Sequence, residues 1–188
     1  MTAGEPARPG RVLIVSPTYC EAENVVEFLG RVREQLPSAD ILVVDDASPD
    51  GPAAMVEEVA GRLGQIRVLH RPGKGGLGAA YRAGFAQGLG EGYDILVEMD
   101  ADLSHDPAVL PSLVASAADG VDLVIGSRYV DGGSTPNWPL VRRVISRVGC
   151  RYASFALHLP LRDATAGFRA YRAPALRAVD SEHTLANG

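Results

Sequence analysis

Ile41-Leu-Val-Val-Asp-Asp-Ala-Ser-Pro-Asp-Gly51 decides the architecture. Its four apolar residues show no alternation and are too few for a helix, so they read as a strand buried on both faces. Two carboxylates follow at once, and Pro49, Asp50 and Gly51 then supply the chemistry of a turn. Working outward, similar apolar runs recur at 12–15, 66–69, 95–97 and 123–125, each reading as a buried strand. Between them, Val25, Val26, Phe28, Leu29, Val32 and Leu36, and then Met55, Val59 and Leu63, keep helical spacing. This βαβα alternation predicts a three-layer α/β/α sandwich with a mostly parallel sheet and right-handed crossovers. At 188 residues the chain suits one domain. Residues 1–10 read as a loose tail, 11–180 as the domain and 181–188 as a second tail.

Composition narrows the function classes. Hydrophobic residues make up 46% of the chain, enough for a core, so disorder is excluded. A net charge of −5 offers no basic field for a nucleic acid. Cys20 and Cys150 lack metal-ligand spacing, and no N-terminal stretch reads as a signal peptide, so a reducing, cytoplasmic compartment is expected. Apolar runs fall short of the ~18 residues of a membrane span, which leaves peripheral membrane contact.

In open sheets of this kind ligands sit beyond the C-terminal ends of the strands. Carboxylates gather there in this sequence: Asp45 and Asp46 after the second run, Asp100 and Asp102 after the fourth, with Arg128 after the fifth. In an extended segment, residues two apart point the same way, so Asp100 and Asp102 can face one hard divalent cation such as Mg²⁺. Asp46 is expected to face a ligand, Asp50 and Gly51 to form a turn, and Asp106 before Pro107 to cap a helix. Gly73, Gly75 and Gly78 fit a dinucleotide-binding pattern but follow the third strand, so a tight loop opening a helix is the better reading. Arg142, Arg143, Arg147 and Arg151 form a basic stripe beside Val141, Val144, Ile145 and Val148. Trp138 just before them favours a face against anionic lipid. The four histidines form no ligand set and are read as structural.

Taken in order, Pro17-Thr-Tyr-Cys-Glu21, Val44-Asp-Asp-Ala-Ser-Pro-Asp50, Met99-Asp-Ala-Asp-Leu-Ser-His105, Gly126-Ser-Arg-Tyr129 and Arg162-Asp-Ala-Thr-Ala-Gly-Phe-Arg169 resemble the polyprenol (dolichol) phosphate mannose synthases of glycosyltransferase family 2. The resemblance implies a GT-A fold and an inverting transfer of mannose from GDP-mannose to a polyprenyl monophosphate; the alternatives are a family 2 transferase using another donor, such as UDP-glucose, or a truncated, catalytically impaired fragment that binds a nucleotide sugar. It implies that Pro17, Tyr19, Glu21, Val44, Asp46, Ala101 and Arg128 hold the donor. Asp100 and Asp102 would hold Mg²⁺ or Mn²⁺, with Ser104 standing where some relatives place a Gln that completes the metal shell. Arg128, Arg142 and Ser146 would receive the acceptor phosphate, and Asp102 and Arg128 carry the catalytic roles. A phosphate monoester, with its second pKa near 6, is already largely dianionic at neutral pH, so no general base is needed. Asp163 is read as a structural or orienting carboxylate, with a base as the alternative. The implied location is the inner membrane face, on the cytoplasmic side, with an anchoring membrane protein as a possible partner. Two departures stand out: Cys20 replaces the family's usual Asn, and the chain ends before the family's later basic segment, so weakened or absent transfer is expected of it.

Overall fold

The computed structural model describes residues 10–130, 139–156, 163 and 165–178, without the side chains of Arg142 and Arg143. Both expected tails, except Gly10, lie outside the described residues, as do Trp138 and Arg162. The order is β1 (Val12–Thr18), α1 (Val25–Gln35), β2 (Asp40–Asp45), α2 (Pro52–Leu63), β3 (Ile66–His70), α3 (Leu77–Gly90) and β4 (Ile95–Glu98). A 3-10 turn (Pro107–Val109), α4 (Leu110–Ala118), β5 (Leu123–Ile125), α5 (Leu140–Ala156), β6 (Arg169–Arg172) and α6 (Ala173–Ala178) follow.

The six strands lie in the order β3-β2-β1-β4-β6-β5. The first four are mutually parallel, and β6 runs antiparallel to both β4 and β5. Apolar residues of β1, β2 and β4 face two cores. Ile14, Ile41, Val43 and Val97 pack with Val25, Phe28 and Leu29 of α1, Val56 of α2 and Leu110 of α4. Leu13, Val15, Leu42, Val44 and Leu96 pack with Ala80 and Tyr81 of α3 on the opposite face. The sandwich is therefore the three-layer arrangement that the alternation predicts.

Helix α3 lies close to the sheet because Gly84 and Gly88, four residues apart, share its inner face. A Cβ on Gly88 would stand 2.6 Å from Leu13 Cδ2 and 2.7 Å from Leu96 Cδ2; one on Gly84 would clash with Val15.

Two expectations are corrected at the sheet edges. β3 and β5 are the outer strands, so only Ile66 of β3 is buried and Leu123 of β5 is exposed. Strand β6, Arg169-Ala-Tyr-Arg172, is absent from the sequence reading because its side chains are mostly polar. It is seated by a buried polar group instead: Tyr171 donates to Glu98 at 3.0 Å, and Arg169 lies 3.6 Å from the same carboxylate. Burial pushes the Glu98 pKa up against the pull of Arg169 and Tyr171, while burial and Glu98 push the Tyr171 phenol up to about 12.

Candidate functional site

The strand order reverses between β1 and β4, the topological switch at which open sheets bind ligands. A cavity of ≈ 330 Å³ opens there. Pro17, Thr18, Tyr19 and Glu21 line it from beyond β1, Asp46 from beyond β2, and Asp100, Ala101 and Asp102 from beyond β4. Lys74, Gly76, Leu77 and Ala80 complete it from the glycine-rich loop and the start of α3.

The loops hold one another. Asp45 is buried and accepts from Thr18 Oγ1 and the Ser48 backbone, both at 3.3 Å, which makes it a structural carboxylate. Asp50 accepts from the Ala22 backbone at 2.9 Å, and the Cys20 backbone donates to Ser48 Oγ at 3.3 Å, which ties the loop after β2 to the loop after β1. Gly51 (φ 73°) turns the chain before Pro52, the first residue of α2, in keeping with the turn read there. Asp106 caps the 3-10 turn by accepting from the Ala108 backbone at 3.0 Å, as its sequence position predicts. Three non-glycine residues with left-handed backbone sit on this rim: Cys20 (φ 63°), Ala47 (φ 54°) and Leu103 (φ 58°). Such conformations persist where surrounding contacts impose them.

Asp46 is buried, and its partners belong to the protein: Arg71 donates to Oδ1, and the Gly75 backbone donates to Oδ2 at 2.8 Å. It borders the cavity while fastening the 71–76 loop. That loop carries Lys74, whose Nζ stands 4.0 Å from the centroid of the Tyr19 ring, a cation-π contact at the cavity wall.

Asp100 and Asp102 both border the cavity, and each has one oxygen engaged by the protein. Asp100 Oδ1 accepts from the Tyr81 hydroxyl at 2.7 Å. Asp102 Oδ1 accepts from the Ser104 backbone at 3.0 Å, a bond made possible by the left-handed Leu103. His105 Nε2 lies 3.7 Å from Asp100 Oδ2, with its ring 5.3 Å from that of Phe168. Among the described residues, no group of three or more His, Cys, Asp or Glu side chains is arranged to hold a metal ion. Two carboxylates bordering an open cavity nonetheless fit a hard cation of the Mg²⁺ class, which takes one or two protein oxygens and fills its shell with water and phosphate.

The remaining expected residues lie elsewhere. The Val44 side chain is in the core, within reach of a Cβ on Gly84, and does not line the cavity. Ser104 contributes its backbone to Asp102, and its side chain is outside the lining. Arg128 follows β5, which β6 separates from β4, so two strand spacings, roughly 10 Å, divide it from the Asp100 strand. It does not line the cavity; Nε and Nη2 donate to Asp163 at 2.8 and 2.7 Å, and Nη2 donates to Thr165 at 2.7 Å. The Arg128 backbone adds a third donation to Asp163, at 3.1 Å. Burial alone would raise the Asp163 pKa; Arg128, through side chain and backbone, overcomes that and holds it at about 2. Ser146 Oγ accepts from the Tyr129 hydroxyl at 2.6 Å, and the Arg147 guanidinium lies 5.3 Å from the Tyr129 ring. The Arg142 side chain lies outside the described residues. Sequence reasoning did not single out Arg71, Lys74 or Tyr81 for the site; the proximity of Lys74 to three glycines was the available signal for one of them.

The fold is of the GT-A type, shared with solved glycosyltransferase structures. The chain belongs to Glycosyl transferase family 2, whose profile matches residues 13–180. It is 52% identical over 178 residues to an undecaprenyl-phosphate mannosyltransferase of Micrococcus luteus, covering 95% of this chain and 73% of that one. It is 49% identical over 171 residues to a polyprenol monophosphomannose synthase of Mycolicibacterium smegmatis, covering 90% of this chain and 64% of that one. Among solved structures, a mannosyltransferase of Pyrobaculum calidifontis in complex with GDP-Man and Mn²⁺ shares the fold at a TM-score of 0.64 and 21% identity, over 95% of this chain and 49% of the other. The chain thus spans between half and three quarters of the length of these proteins.

Proposed function

We propose that the chain is an inverting mannosyltransferase that moves mannose from GDP-mannose to a polyprenyl monophosphate. The observation that carries this reading is the convergence of Glu21, Asp46, Asp100 and Asp102 on one cavity at the β1/β4 switch, in a chain about half identical to an undecaprenyl-phosphate mannosyltransferase and a polyprenol monophosphomannose synthase. Tyr19 and Glu21 offer a ring and an acceptor to the nucleoside, and Lys74 offers a cation. Asp100 and Asp102 would hold Mg²⁺ or Mn²⁺, which when bound stabilises negative charge growing on the diphosphate leaving group. Because the acceptor phosphate arrives ionised, the protein has to position it rather than deprotonate it.

Arg128, anchored by Asp163, and Arg142 and Ser146 on α5 are the residues proposed to receive that phosphate. Helix α5 supports a lipid-borne acceptor: Val141, Ile145, Val148, Tyr152 and Phe155 are all exposed along it, each by 62% or more. No described helix is long and apolar enough to cross a membrane, so this face is proposed to lie on a membrane surface. The test is mannose transfer to a short-chain polyprenyl phosphate with and without chelator. Transfer that requires metal and falls at least a hundredfold in Asp102→Ala supports the reading; transfer indifferent to both overturns it.

A further inference from the structure

The Asp100 carboxylate is bordered from three directions, two of them by residues distant in sequence. Tyr81, on α3, donates its hydroxyl to Oδ1 at 2.7 Å. His105 stands 3.7 Å from Oδ2. Gly167 approaches the same oxygen so closely that an added Cβ would lie 3.2 Å from it. The last contact follows from topology, since β6 is antiparallel to β4 and the residues leading into β6 arrive where β4 ends.

Tyr81 is otherwise a core residue. It is 8% exposed, packs among Val15, Val44 and Leu96, and its ring lies 5.9 Å from that of Phe85. A phenylalanine would serve that packing equally well. The hydroxyl is spent on Asp100 Oδ1 at 2.7 Å, which commits that oxygen to the protein.

We propose that Tyr81 is a positioning residue for the metal site: its hydroxyl, from the one side, and the bare Cα of Gly167, from the other, fix the rotation of the Asp100 carboxylate that presents Oδ2 to the cation. The assignment rests on the proposed role of Asp100 as a metal ligand, and it adds a specific geometry: Asp100 ligates through one oxygen. Hydrogen-bonding partners of ligating side chains cost about 10–100-fold in metal affinity or activity when removed.

The test is Mn²⁺ binding in the presence of GDP, followed by electron paramagnetic resonance, with thermal melts of the metal-free proteins alongside. Tyr81→Phe should weaken Mn²⁺ at least tenfold while its melting temperature stays close to that of the parent chain. Gly167→Ala, which presses on Oδ2 without touching Tyr81, should weaken it comparably. Phe85→Leu, which loosens the packing beside Tyr81 but keeps the hydroxyl, should lower the melting temperature and leave Mn²⁺ affinity unchanged. Unchanged affinity in both Tyr81→Phe and Gly167→Ala, or an equal loss in Phe85→Leu, overturns the role of Tyr81 while leaving Asp100 a ligand. A parent chain that binds no Mn²⁺ with GDP overturns the metal site itself.

Discussion

Replacing Asp163 by Ala removes the partner of Arg128 and tests whether that pair anchors the region beyond β5. The Asp163 side chain is fully buried, and that of Arg128 is only 20% exposed. Three donations from Arg128 converge on the carboxylate, from Nε, Nη2 and the backbone. Breaking a buried pair by removing one member costs about 3–5 kcal/mol. For a chain of this size each kcal/mol is worth about 2–4 °C, so Asp163→Ala should lower Tm by roughly 6–20 °C at pH 7. Asp163→Asn keeps an acceptor and should lose less. The pH dependence has a definite sign. Because the folded pKa, at about 2, lies below the ordinary value of 3.8, Asp163 stabilises the fold fully above about pH 4. That contribution fades as pH falls towards 2, so the gap between parent and variant should narrow on acidification. Thermal melts by circular dichroism from pH 7 to pH 3 read both effects. An Arg128→Leu, Asp163→Leu double variant should recover part of the loss, since neither charge is then stranded. A single-variant loss below about 1 kcal/mol at pH 7 would refute the reasoning.

Three further outcomes are expected. Gly88→Ala forces a methyl against Leu13 and Leu96, so overpacking of about 1–3 kcal/mol should exceed its gain in helix propensity; unchanged urea unfolding would contradict the close α3 packing. Cys20→Asn places a residue suited to left-handed backbone where φ is 63°, and should return a part, about 0.5–1 kcal/mol, of the cost a side chain pays there; a lower Tm would argue against this. Asp46→Ala frees the Gly75 amide and strands Arg71, so hydrogen exchange at Gly75 should quicken and GDP affinity fall; slow exchange retained at Gly75 would show that the loop is held by other means.

Much of the fold was legible because β1, β2 and β4 are buried on both faces and so carry unbroken apolar runs. β6 escaped notice because it is held by Glu98, Arg169 and Tyr171 rather than by an apolar run, and a buried ionic contact leaves no periodicity. The acidic residues of the site were legible for a topological reason: each follows a strand, and parallel strands end on one edge. Their supports were not. Arg71 reaches Asp46 across 25 positions, and Tyr81 reads as one more apolar residue of α3 until its hydroxyl is found on Asp100. Arg128 was placed on the correct edge, but the insertion of β6 between β4 and β5 carries it away from the cavity, a displacement that strand spacing in sequence does not reveal.

The central claim is that Asp100 and Asp102 grip a divalent cation through which the cavity holds a nucleotide diphosphate. Calorimetric titration of GDP-mannose into the chain, with Mn²⁺ and then with excess chelator, tests it most directly. Binding that appears only with the metal and vanishes in Asp102→Ala is the predicted result; equal binding in chelator, or in the variant, would contradict it.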